Sequence, residues 1–548
     1  MYKTKRAGFV LSCVAVATMN VAVGADPPRS ADPPRADDKT TTAAPADSPE
    51  LRLKMQLDEQ QKEIEQLRVA LGLLNKAPGA TDVAAPVAPA PAAPAASPAA
   101  TATPMVPATP ASSPLQIKIG DTTIMPVGFM DLTADWKDKN AGGSLGSSFG
   151  SIPYNNATTA KLSEFRFSPQ NSRIGFRVDG NWKGAHFIGY NEFDFLGTSG
   201  GNNLSITNGA FVPRIRLYWV DVRKNKFEFL AGQSWSMLTP NRKGISALPG
   251  DLFYSQVVDV NYMAGLTWTR QPGVRFLYHP SEQVTMGISF ENPDQYIGGS
   301  SGGSSIVLPS ALSGLAGTQL DNQTNVQTIP NVHPDIIAKI AFDPSNRTHL
   351  EFAGIDRTFR VWNPLINQYS TKAGVGGSIN ANVEILKNFR LVTNNYWSDG
   401  GGRYLFGQAP DVVLHADGTL SALHAGGTVD GFETVVNKNT LLYAYYGGIY
   451  IGRNVVVDAN GTSLVGYGYR GSSNSQNRDI QELSFGFNQT IWKDARYGAL
   501  NLMGQYEFLM RAPWYYAANV AGGKGTHDNT IYFNVRYTLP GGAPPVEK

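Results

Sequence analysis

The chain has 548 residues, a formal net charge of +2, 16% charged side chains and one cysteine. A nucleic-acid binder would carry a strong basic excess, so that class is excluded. Beyond the first 25 residues no stretch approaches the 18 or more continuous apolar residues of a membrane-crossing helix, which excludes a helical membrane protein.

Lys3, Lys5 and Arg6 precede an apolar run from Phe9 to Val23 and the small residues Gly24 and Ala25, the layout of a secretory signal removed after Ala25. Cys13 follows Val10-Leu11-Ser12 as in a lipobox, but Arg6 lies too near to leave an apolar core before it. Cleavage after Ala25 leaves a mature chain without cysteine, hence without disulfides or thiol chemistry. Residues 26–46, rich in Pro, Asp, Thr and Ala, are expected to be disordered.

Asp47 and Glu50 form a capping-box pattern with Pro49 in the first turn, which starts a helix over 47–76. Leu57, Ile64 and Leu71 at heptad position a place Leu53, Gln60, Leu67 and Leu74 at d, so these residues are expected to self-associate as a short coiled coil. Glu63 and Arg68 then fall at g and e, where opposite charges pair between chains. Residues 77–114 are almost all Ala, Pro, Thr, Ser and Val and read as an extended spacer, which at about 3.1 Å per residue reaches on the order of 100 Å.

From 115 to 540 the pattern is one of β segments of about ten residues in which apolar and polar side chains alternate, as in a closed antiparallel transmembrane β-barrel. Short connections fall at Asp179-Gly180-Asn181, Arg223-Lys224-Asn225, Pro280-Ser281-Glu282, Asp343-Pro344-Ser345, Lys387-Asn388, Asn437-Lys438-Asn439 and Lys493-Asp494-Ala495. Long Gly/Ser/Asn-rich loops separate them near 137–160, 197–211, 239–265, 293–333, 363–369, 399–428, 452–477 and 513–528. Seven turns and eight loops join about sixteen strands, and the even number leaves both barrel ends on the turn side with the N-terminal arm. The segment 541–548 is a C-terminal tail.

Successive side chains of a strand point to opposite faces, and a lipid-facing arginine near the midplane costs about 2–4 kcal/mol. Arg214, Arg216 and Tyr218 are therefore expected to face the lumen, with Ile215, Leu217 and Trp219 outside. The same alternation puts Arg173, Arg177, Asp179, Glu192, Asp194, Arg275 and Arg390 inside. A barrel of this size is too wide for side chains to fill, so a water-filled channel follows, lined by arginines opposite carboxylates that select among charged solutes. If the loop over 239–265 folds inward, Arg242 and Asp251 are its constriction candidates.

Gln60-Gln61-Lys62-Glu63-Ile64-Glu65-Gln66-Leu67, Gln170-Asn171-Ser172-Arg173-Ile174-Gly175-Phe176, Gly189-Tyr190-Asn191-Glu192-Phe193-Asp194-Phe195, Gly232-Gln233-Ser234-Trp235 and Gly401-Gly402-Arg403-Tyr404-Leu405 together resemble the DcaP-like outer-membrane porins. The resemblance covers most of the mature chain. It implies a trimer of sixteen-stranded channels with a periplasmic coiled coil in the outer membrane of a Gram-negative-type bacterium, and passage of small, often negatively charged solutes such as dicarboxylates. Arg173, Arg177, Glu192 and Asp194 would then line the channel. Unlike most outer-membrane barrels, the chain does not end on an aromatic residue; Tyr537 precedes Pro540 and a Gly/Pro-rich tail.

Enzymatic chemistry and cofactors are not expected. Gly-x-Ser-x-Gly occurs at 142–146, 146–150 and 298–302, but in Gly/Ser-rich loops without the strand-to-helix context of a nucleophile elbow. The seven histidines lack zinc-site spacing, and His186 and His279 read as strand residues beside lumen positions. The expected partners are membrane lipids, small solutes and further copies of the chain, with the arm near peptidoglycan. The competing expectation is a structural barrel whose arm tethers the outer membrane to the cell wall. Deleting residues 26–114 separates the two, because a channel would still conduct.

Overall fold

The computed structural model describes residues 115–142, 145–197, 211–248, 257–299, 303, 305–323, 329–516 and 525–540. The signal, the coiled-coil positions Leu53 to Leu74, the spacer, Asp251 and the tail lie outside the described residues.

The described chain is a closed antiparallel barrel of 16 strands with two extra strands. In chain order these are β1 Thr122–Lys137, β2 (Glu164–Ser168 with Arg173–Trp182), β3 Ala185–Gly197, β4 Val212–Lys224, β5 Phe227–Trp235, β6 Arg270–Ser281, β7 Val284–Glu291 and β8 Asp335–Ser345. The second half comprises β9 Thr348–Asn363, β10 Gln368–Leu386, β11 Phe389–Asp399, β12 His424–Asn437, β13 Thr440–Ile451, β14 Asn477–Asp494, β15 Gly498–Pro513 and β16 Thr526–Thr538. Each strand pairs with its sequence neighbours, and β1 closes the barrel on β16 through Phe129↔Thr538 to Lys137↔Thr530. Closure removes the sheet edges, so no backbone donor or acceptor is left facing lipid.

All seven predicted turns fall within a few residues of their expected places, as do seven of the eight loop positions as breaks between strands; the eighth, 363–369, is a four-residue turn, because Asn363 pairs directly with Gln368. The first turn moves from Asp179-Gly180-Asn181 to Lys183-Gly184, because the ladder of β2 with β3 runs on through Asn181↔His186 and Trp182↔Ala185. Lys183 there takes a left-handed φ of 48° beside Gly184 at 76°. That is the geometry a two-residue hairpin turn demands.

Alternation assigns the faces. Ile174, Phe176, Val220, Phe276, Ile288, Phe352, Phe432 and Phe533 are exposed and form the outer, apolar face, while Glu192, Asp194, Arg216, Arg275, Glu291, Lys339, Glu351, Glu433, Glu482 and Glu507 are buried on the inner one. The outer face has a polar exception on β11 and β12. Asp430 there accepts hydrogen bonds from the hydroxyls of Thr393 and Thr428, and Asn395 bonds both threonines.

Strand β4 breaks the alternation in its middle. Glu192 pairs with Leu217 and the next residue, Phe193, pairs with Ile215, so Arg216 is an extra residue in a β-bulge. The side chains beyond it change face: Leu217 and Trp219 are buried inside, and Tyr218 is 60% exposed on the outer face with Ile215 and Val220. The expectation that Tyr218 lines the lumen, with Leu217 and Trp219 outside, is therefore corrected.

Candidate functional site

The described parts of the segment between β5 and β6, 236–248 and 257–269, lie inside the barrel. Their backbone amides, which have no sheet partner there, bond to wall side chains: Asn241 to Glu351, Gly244 to Asp343, Val258 to Gln505, Ala264 to Glu482 and Thr267 to Asn394, at 2.8–3.1 Å. A buried amide needs an acceptor, and the polar inner face supplies one at each crossing. The approach is close because the wall carries glycine: a Cβ on Gly447 would sit 2.2 Å from the Ala264 carbonyl oxygen, and one on Gly427 2.6 Å from that of Gly265. Gly265 itself has φ +91°, where a side chain would be strained. Arg242 lies on this inward segment, with its guanidinium bonding both oxygens of Glu433 on β12 at 2.8 and 3.0 Å.

The facing wall, β2 to β6, is less covered. Of the residues expected to line a lumen, Tyr218 lies on the outer face, Arg390 is on β11, and the others are carried by β2 to β6. Asp194 accepts from Arg214 at 2.7 and 3.0 Å and from Arg216 at 2.8 Å, and Glu192 accepts from Arg216 at 2.8 Å. Arg173 stands 3.7 Å from Glu192, and Arg177 pairs with Asp179 at 2.7 Å. Arg275 donates to the Trp235 carbonyl, and Arg390 to Asn382. His279 pairs with Glu228, and His186 lies 3.7 Å from Asp179.

Further residues complete the site. Tyr262 accepts hydrogen bonds from Arg173 at 3.3 Å and Arg216 at 3.4 Å through its hydroxyl. It takes a φ of 62° and meets Trp268 edge-on at 4.8 Å. Trp268 stacks on Phe406 from the loop 400–423, also at 4.8 Å, and Phe406, with φ 55°, meets Phe149 from the first loop. Two bulky residues in left-handed backbone are strained, and such strain persists only where surroundings over-determine it. Three loops thus meet at one aromatic cluster above the arginines.

Arg270 was not anticipated from sequence, since strict alternation from Arg275 puts it on the outer face. The ladder of β4 with β5 ends at Tyr218↔Gln233, so Trp235 and its partner Arg270 lie past the paired region. Trp235 is buried inward, and the guanidinium groups of Arg216 and Arg270 lie over its ring at 5.7 and 5.6 Å. Arg214 and Arg270 border a cavity of about 380 Å³ together with Ser148, Asn261, Trp268 and Phe406. Among the described residues, Arg173, Arg214, Arg216 and Arg270 have only Glu192 and Asp194 as ion-pair partners, a surplus of positive charge there.

Across the bore the first loop and the segment 236–269 meet β14 to β16. Ser147 bonds Glu507 through its hydroxyl and Asp259 through its backbone amide. Burial raises the Asp259 carboxyl to about 6, against the opposing pull of amide hydrogen bonds and Lys137.

No family model matches the chain, and no curated protein sequence matches it. Among solved structures, the outer membrane channel DcaP of Acinetobacter baumannii matches with TM-score 0.55 at 16% identity, over 77% of this chain and 98% of that one. Salmonella typhi OmpF in complex with daunomycin (10% identity, TM-score 0.44, 77% and 99% covered) and an anion-selective porin from Comamonas acidovorans (13%, 0.41, 76% and 99%) are more distant. The chain has the sixteen-stranded fold of an outer-membrane channel.

Proposed function

We propose that this protein is an outer-membrane porin through which small hydrophilic anions, dicarboxylates among them, diffuse passively. The observation that carries the reading is the surplus of arginines on the inner face of β2 to β6, of which Arg214 and Arg270 border a cavity, while inward-folded loop backbone is bonded to the opposite wall. A fixed positive surplus at a narrow point raises the local concentration of anions and repels cations. The apolar, aromatic-rich outer face supports a lipid setting. Arg173, Arg177, Asp179, Glu192, Asp194, Arg214, Arg216, Arg275 and Arg390 are the proposed lining, with Arg242 holding the constriction loop to the wall. The heptads of residues 47–76 are proposed to bring copies together in the periplasm, as a trimer.

The test is single-channel recording in planar bilayers with a salt gradient. An open channel whose reversal potential favours chloride over potassium is expected. Absence of conductance from folded protein would overturn the channel reading, and potassium preference would overturn its anionic part.

A further inference from the structure

Resting on that reading, we infer that Arg270 is the residue that seats the translocating carboxylate, with Arg214 beside it, and that the other arginines of the wall are positioning groups.

The assignment follows from what each guanidinium already holds. Arg216 is buried and bonded to Glu192, Asp194 and the Tyr262 hydroxyl. Arg173 shares Tyr262 and Glu192, and Arg177 grips both oxygens of Asp179. A solute carboxylate approaching any of these must compete with an ion pair in place. Arg270 differs: among the described residues no carboxylate lies within 4 Å of it, and its Nη1 is buried without a hydrogen-bond partner. A guanidinium has five donors in a fixed fork, and leaving one buried and unmade is costly. A carboxylate in the adjoining cavity would give this guanidinium the counter-ion that no described residue supplies, in the planar pairing that is strongest for these two groups.

The surroundings hold the fork open. Trp235 lies under the Arg270 guanidinium at 5.6 Å and Trp268 stacks on Phe406, so the aromatic groups fix the position of the cation without supplying an acceptor. Asp194 already takes two arginines. Arg214, 40% exposed and bordering the same cavity, is the second cation such a ligand meets. Solutes would therefore pass from Arg214 to Arg270 beneath the aromatic cluster.

The experiment uses the full chain in planar bilayers, comparing wild type with Arg270→Gln, Arg270→Lys and Arg177→Gln. Chloride-over-potassium permeability and current block by added succinate are read for each. Arg270→Gln is expected to lower the permeability ratio about fivefold, the effect of one unit charge at contact distance in water, and to abolish block. Arg270→Lys should keep the permeability ratio but weaken block, since an ammonium lacks the planar fork. Arg177→Gln, whose guanidinium is already held by Asp179, should weaken block less than Arg270→Gln does. Wild-type block by succinate in Arg270→Gln, or equal loss in Arg177→Gln, would overturn the assignment while leaving an anion channel standing. A wild type that prefers potassium would instead remove the reading beneath it.

Discussion

The inner walls of β2–β6 and β8–β15 are built from the same residue types but used in opposite ways. On β8–β15 the carboxylates and amides of Asp343, Glu351, Asn394, Glu482 and Gln505 are occupied by backbone amides of the segment 236–269. On β2–β6, Arg173, Arg214 and Arg216 pair laterally with Glu192 and Asp194, and Arg214 and Arg270 border open space. The difference teaches that charge on a barrel lining has two separable uses. Where loop backbone crosses, the polar wall substitutes for the missing sheet; Arg214 and Arg270, which border the cavity instead, are the residues proposed to meet solutes.

The largest effect is expected at the cluster that ties the outer loops to the covered wall. Arg357 on β9 is fully buried and bonds Asp335 at 3.0 Å, Asp411 at 2.8 Å, and the carbonyl oxygens of Gly400 and Asp294. Arg357→Ala leaves Asp411 buried without its cation and Asp335 with Arg403 alone, and breaking a buried pair of this kind costs about 3–5 kcal/mol. Urea unfolding in detergent should show a fall of that order, with chloride preference in the surviving channels unchanged. Gly447→Val comes next. Its side chain would enter the space of the Ala264 carbonyl, and overpacking of this kind costs about 1–3 kcal/mol. Because the strain falls on the loop contact, single-channel conductance should rise as the loop lifts, whereas Arg357→Ala should not raise it.

The sequence made the architecture legible because its period of two and its alternation of short turns with long loops are local signals. The inward direction of Arg173, Arg177, Glu192, Asp194, Arg275 and Arg390 followed from the same rule. What it could not show is where the rule is interrupted. The bulge at Arg216 leaves no mark in composition, since a run of Arg-Ile-Arg-Leu-Tyr-Trp reads equally well as regular alternation. Arg270 was hidden by the end of a ladder, and Phe406, Tyr262 and Trp268 by meeting only through tertiary contact. The glycines of β12 and β13 carried a signal of close backbone approach, but not of which segment approaches.

A smaller, pH-dependent effect should appear where the two loops meet the covered wall. Asp259 is raised from the ordinary carboxyl value to about 6 by burial, so the docked state binds a proton more tightly than the free loop. The raised value means docking is most favourable below the ordinary carboxyl range. It weakens as pH climbs toward about 6, and the loss is complete above that. Current noise from loop motion should therefore grow from pH 4 to pH 7. Asp259→Asn, which cannot ionise, should flatten that dependence without altering selectivity. Identical pH profiles in wild type and variant would show that the loop is held without regard to this carboxyl.

The smallest expected effect is at Tyr218, and it bears on which residues form the open wall at all. If β4 ran in regular alternation, the Tyr218 ring would project into the bore between the arginines, and replacing it would widen the channel. The bulge instead places it on the outer face, 60% exposed beside Ile215 and Val220. Tyr218→Leu should leave conductance, reversal potential and succinate block unchanged and shift stability by less than about 0.5 kcal/mol, as for an exposed site free of special contacts. Trp219→Leu is the matched control one residue along. Trp219 is buried inside and stacks on Tyr190 at 5.4 Å, so its loss should both destabilise the barrel and change conductance. A conductance change from Tyr218→Leu, with none from Trp219→Leu, would mean that Arg216 is not bulged. Arg214 and Arg216 would then sit in a different register relative to Arg270, and the open wall would have to be redrawn.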